Sequence, residues 1–126
     1  MTEIGIKNVE VFESLMEGLY HYKLCEIAKD LINLMSKMSL TPIITSAYRN
    51  GDTGVHGYGR GLDFRTHHLS IDEINTLCSV INERWCYDPA RPEMVCLMYH
   101  DVGKGPHLHL QVHPNTKERK YIYETA

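Results

Sequence analysis

Residues 106–113 restrict the fold more than any other stretch of the chain. His107, His109, Gln111 and His113 alternate there with Leu108, Leu110 and Val112. Successive side chains of a strand point to opposite faces, so extended backbone sorts this order into one apolar and one polar face. A helix would scatter it, because its side chains recur about every 3.6 residues. The segment is therefore expected to be a strand with one buried face and one polar face. His107 and His109 then stand side by side on the polar one.

A second stretch, HGYGRGLD at residues 56–63, carries one imidazole and one carboxylate seven positions apart among glycines. His56, Asp63 and His109 together offer two neutral imidazoles and one carboxylate. That is a catalytic zinc donor set, with a fourth position left for water. Such an ion lowers the pKa of its water toward about 7 and polarises a carbonyl. Hydrolysis then also needs a group that moves the proton to the leaving amine. Asp101 and His107 are the candidates. If Gly103-Lys104-Gly105 closes a hairpin, both side chains reach the site, with Asp101 favoured as base and His107 as a donor to the oxyanion. An H-E-x-x-H helix is absent, so the helix-borne protease motif does not apply.

The remaining segments supply the scaffold. Residues 9–19 are a modest helical candidate. Residues 20–38 form a better one, with Leu24, Ile27, Leu31, Leu34, Met35 and Met38 in one apolar stripe. Thr41-Pro42 should stop that helix. The β-branched run at residues 43–48 reads as a strand, and residues 62–64 as a short one with Asp63 facing away from Leu62 and Phe64. Ser70 and Glu73 form a capping box for a helix that carries Ile71, Ile74, Leu77, Cys78, Ile81 and Trp85 and ends near Cys86. Residues 94–99 are apolar at every position parity, which predicts a central strand covered on both sides. Residues 115–120 read as a solvated charged segment, and residues 121–123 as an edge strand. The order implies a single α+β domain over residues 1–126, with helices packed on a small, mainly antiparallel sheet.

Composition narrows the function classes. A chain of 126 residues with 43% hydrophobic residues builds its own core, and a formal charge of −3 excludes a basic nucleic-acid surface. Cys25, Cys78, Cys86 and Cys96 include no C-x-x-C pair, so they read as small buried hydrophobes in a reducing compartment. The first eighteen residues contain acids and no long apolar run, so neither a signal peptide nor a membrane anchor is expected. His67, His68, His100 and His113 read as solvent-facing or supporting residues, with His100 the one placed to line the cleft.

Three motifs occur in order: SAYR at residues 46–49, HGYGRGLD at 56–63 and HLH at 107–109. Together they resemble the D-Ala-D-Ala carboxypeptidases and the phage L-alanyl-D-glutamate endopeptidases, zinc peptidases that cut bacterial cell-wall stem peptides. The Hedgehog signalling domain is similar in fold and zinc site. The resemblance spans about half the chain and implies a Hedgehog/DD-peptidase-like fold. It also implies zinc held by His56, Asp63 and His109, with His107 beside them. It implies further that Arg49 grips a substrate carboxylate, with Ser46 and Tyr48 next to it; a planar guanidinium suits that task. Ala47, Gly54 and Gly61 depart from the family pattern, and Pro106 stands where the family places a catalytic acid. The expectation is a monomeric zinc metallopeptidase acting on peptidoglycan peptides by metal-activated water. It would be made in the cytoplasm and reach the wall by phage or prophage release or within a virion. The alternative is a zinc-stabilised binding or phage-particle module without turnover.

Overall fold

Two amphipathic helices and the apolar side of a five-stranded sheet enclose one core in the computed structural model. It describes residues 4–11, 15, 22–46, 60–101 and 105–120. The strands are β1 (Gly5–Ile6), β2 (Ile43–Ser46), β3 (Gly61–Phe64), β4 (Trp85–Cys86), β5 (Leu97–Asp101), β6 (Pro106–Gln111) and β7 (Lys117–Glu118). The helices are α1 (Tyr22–Lys37) and α2 (Ile71–Arg84). The large sheet runs β1-β2-β3-β6-β5, and β4 pairs with β7 in a separate ribbon. Its β1–β2 pair is parallel and the other three pairs are antiparallel, so the domain is α+β with a mixed sheet.

The helices form where the apolar spacing predicts them. Leu24, Ile27, Leu31 and Met35 of α1 are fully buried, and Leu34 and Met38 pack at the core margin. The helix ends before Thr41-Pro42, by a different device. Ser39 adopts a left-handed φ of 60°. Its N–H donates to Ser36 O at 3.0 Å and Leu40 N–H donates to Met35 O at 2.8 Å, which together are a Schellman closure. In α2, Ser70 Oγ accepts from Glu73 N–H and the Glu73 carboxylate accepts from Ser70 N–H, as the capping box requires. Ile71 is exposed rather than part of the apolar stripe. The helix stops at Arg84, because Trp85 and Cys86 turn into extended pairing with Glu118 and Lys117. Near the start of the chain, residues 9–11 and 15 are helical, and Asn8 caps the turn by accepting from Val11 N–H at 2.9 Å.

Two expectations are corrected. Strand β5 lies at the edge of the described sheet, not at its centre; β3 and β6 are internal. The apolar run at Met94, Val95 and Cys96 misled, because those residues precede the ladder. Cys96 is buried, while Tyr99 on β5 is 40% exposed. The second concerns residues 115–120, which are exposed at Asn115, Lys117 and Lys120 as expected of a solvated segment but pair as β7 at 117–118. They are held by Thr116, buried at 1% exposure, whose hydroxyl donates to Tyr87 O at 2.7 Å and accepts from His113 N–H at 2.8 Å. The segment proposed as an edge strand at residues 121–123 lies outside the described residues.

Asn82 on α2 fixes where β5 begins. Its side-chain oxygen accepts from Cys96 N–H at 3.1 Å and Leu97 N–H at 3.0 Å, and its amide donates to Leu97 O at 2.8 Å. Strand β6 is thereby aligned between β3 and β5. Leu62, Leu97, Leu108 and Leu110 reach the helices, and the alternate residues reach the opposite face. The cysteines are all free thiols. Burial, with Cys86 nearby, pushes the Cys96 thiol up to about 12, so it packs as a neutral apolar group.

Candidate metal centre

The site follows from register. Asp63 pairs directly with His109 across β3–β6, and His107 pairs directly with His100 across β6–β5. Residues opposite one another in an antiparallel ladder share a face, as do residues two apart on one strand. Asp63, His100, His107 and His109 therefore stand together on the sheet face turned away from the helices. Ser46, at the end of β2, lies opposite Asp63 on the other side.

Distances confirm the convergence of the donors. Asp63 Oδ1 lies 2.8 Å from His109 Nδ1 and 3.4 Å from His107 Nε2. His107 Nε2 is 3.0 Å from His100 Nε2. The rings of His100 and His109 stack at 4.9 Å between centroids, and those of His100 and His107 meet edge to face at 4.6 Å. Asp63 and His109 are buried, at 6% and 7% exposure. The polar face of β6 is thus shielded as well as polar, whereas the alternation alone required only that it be polar.

Gln111 determines which nitrogen of His109 faces Asp63. The Gln111 amide N–H donates to Val95 O at 2.9 Å, which orients the amide oxygen toward His109. That oxygen lies 3.2 Å from His109 Nε2. The other ring nitrogen, Nδ1, lies 2.8 Å from Asp63 Oδ1, a contact made favourable by an N–H on Nδ1 or by a cation between the two atoms. Tetrahedral zinc, with bonds of about 2.1 Å, spaces its donors about 3.3 Å apart. Asp63 and His109 need to part by only about 0.5 Å to admit such an ion. The carboxylate of Asp63 and the imidazole of His109 are donor types that suit a divalent transition-metal ion. A metal-ligating histidine commonly donates its other N–H to a protein acceptor in this way.

The expected site residues divide into three groups. Asp63, His107 and His109 come together, with Ser46 alongside. Arg49, Tyr48 and His56 lie outside the described residues. Asp101 sits elsewhere. It pairs with Pro106 and falls on the same strand face as Leu97 and Tyr99, and its carboxylate accepts from Gly105 N–H at 3.1 Å. In its place the register delivers His100 to the site. Among the described residues, His100, His107 and His109 can together hold a metal ion. Gln111 was read only as a member of the polar face. Its signal in the sequence is the two-residue offset from His109, which keeps both on one face.

No described helix is long and apolar enough to cross a membrane. No protein-family model, curated protein or solved structure matches this chain.

Proposed function

We propose that the chain is a zinc-dependent metallopeptidase that hydrolyses the stem peptides of bacterial peptidoglycan. The observation that carries this reading is the meeting of His109 Nδ1 with Asp63 Oδ1 at 2.8 Å. It joins the two motifs that the resemblance names as ligand-bearing, although 46 residues separate them. His56 supplies the third ligand in this reading. When bound, the ion supplies Lewis acidity that activates water near neutral pH.

The chain's own groups do the rest. His107 borders the ion position, with Nε2 3.4 Å from Asp63 Oδ1. It is therefore placed to hold or pass the proton that hydrolysis moves to the leaving amine. Asp101 is the other group proposed for that step. From the opposite strand face it reaches the site only around the end of the hairpin. As the resemblance implies, Arg49 of the SAYR motif would grip a substrate carboxylate, and a wall peptide rich in free carboxylates suits a guanidinium.

The test is to purify the chain, measure bound zinc, digest isolated peptidoglycan and identify the new termini by mass spectrometry. Zinc at one ion per chain with new amino and carboxyl termini is the expected result. Bound zinc with no termini released supports the second reading, a zinc-stabilised binding or phage-particle module. One observation favours that alternative: the register turns Asp101 away from the donors. Asp101→Ala and His107→Ala separate the two candidates for proton transfer. The one that carries the proton loses hydrolysis on substitution while zinc stays bound.

A further inference from the structure

The hairpin of β5 and β6 presents three imidazoles on one face, and only His109 belongs to the ligand set proposed above. The geometry points to a second donor set, His100, His107 and His109, which captures a divalent cation on the hairpin without His56. Each of these residues offers a ligand nitrogen, and the three nitrogens lie within 4.8 Å of one another. The proposal rests on a metal being bound at this face. It is independent of peptide hydrolysis.

Three features support it. First, the donors need little ordering. His107 and His109 are two apart on one strand, and His100 is directly opposite His107, so the ladder holds all three backbones in place. Side-chain entropy is the main cost left on binding. Second, two of the rings carry protein acceptors on the nitrogen that faces away from the cluster. His109 Nε2 faces Gln111 Oε1 at 3.2 Å, and His107 Nδ1 faces Gly105 O at 3.4 Å. An acceptor beside one ring nitrogen is the kind of outer partner that ligating histidines commonly have. Third, Asp63 stands beside the set, within 3.4 Å of His107 Nε2, and its negative charge offsets that of a dication held by neutral rings.

The chemistry of the donors selects the cation. Imidazole nitrogen suits zinc, cobalt, nickel and copper, whereas magnesium and calcium prefer oxygen. Both donor sets include His109, so they compete for one ion and stoichiometry stays at one per chain. His100 thus lets the hairpin hold the ion before His56 engages it.

The experiment is a cobalt(II) titration of the full chain, followed by visible absorption and equilibrium dialysis. The variants are His56→Ala, His100→Phe and the double substitution. Phenylalanine keeps a ring stacked on His109 but has no donor atom. His100→Gln serves as a second replacement if the Phe variant melts early. The expected result is that His56→Ala still binds one cobalt ion with weakened affinity. Adding His100→Phe then lowers affinity more than about tenfold further, since even outer partners of a ligand cost that much. If His56→Ala binds no cobalt, or if His100→Phe and His100→Gln change nothing in that background, the hairpin set is overturned. Wall digestion by the wild type would survive either result, so the peptidase reading fails separately. It fails only if the metal-loaded wild type releases no termini.

Discussion

Among the described residues, two buried aspartates stand beside histidines, and their surroundings differ. At the sheet, Asp63 Oδ1 faces His109 Nδ1 at 2.8 Å, and Gln111 Oε1 lies 3.2 Å from the other ring nitrogen. Beside the small β4–β7 ribbon, Asp88 is surrounded by donors. It accepts from Ala90 N–H and Arg91 Nε–H, both at 3.1 Å, and His113 Nδ1 lies 3.8 Å away while accepting from Asn115 N–H. The Ala90 N–H, then Arg91, Asn115 and His113, hold the Asp88 carboxyl below its ordinary value against the effect of burial. Asp88 is met by N–H donors of neighbouring residues, whereas Asp63 converges with the ring nitrogens of His107 and His109. Residue type is alike in the two places, but His113 is more exposed than His109, and the surrounding N–H groups point differently.

Substitutions can break this contrast at either end. Asp63→Asn should lower zinc affinity by more than about 100-fold, beyond the loss typical of an outer partner; isothermal titration measures it. An unchanged affinity would remove Asp63 from the ligand set. Gln111→Leu should cost about 10–100-fold in the same assay. It should also shift the 15N resonances of His109 in the metal-free chain, because the Nε2–H tautomer loses its acceptor. If wild-type His109 already carries its proton on Nδ1, the proposed role of Gln111 collapses.

At the ribbon the readout is stability, not metal. Thr116→Val removes one donated and one accepted hydrogen bond from a buried position and should destabilise the fold by about 1–3 kcal/mol, with zinc affinity unchanged. Urea unfolding checks it. Asp88→Asn should give the smallest effect, and one that depends on pH. Because the folded-state pKa is lowered from 3.8, the stabilisation is complete above that value and fades as pH falls through the lowered one. The difference in melting temperature between wild type and variant should therefore narrow in strong acid. A difference that persists there would mean that Asp88 acts through packing alone.

Much of the scaffold was legible in the sequence because it rests on local rules. Leu24, Ile27, Leu31 and Met35 announced α1, Ser70 and Glu73 announced the start of α2, and the alternation at 107–112 announced β6. Asp63, His107 and His109 were found by chemical type and spacing, and the ladder brings those three together. What could not be read was register between strands. A shift of one residue moves a strand's side chains to the other face. Asp101 was placed beside His107 on the assumption of a hairpin; the hairpin exists, but its pairing sets His100 there instead. The pairing of Lys117–Glu118 with Trp85–Cys86 was equally hidden, since it depends on Thr116 reaching the Tyr87 carbonyl 29 residues away.

Gln111 N–H donates to Cys96 O, so hydrogen-bonded rungs of β5–β6 alternate from there, and Asp101–Pro106 is not one of them. His100–His107 is the last hydrogen-bonded rung before the turn, and opening of the ladder is expected to begin there. Breathing confined to the tip of the hairpin would let a captured ion exchange while the leucine-lined interior stays shut. Metal turnover and global denaturation then run on separate clocks, and a chelator should strip the site far faster than the protein unfolds.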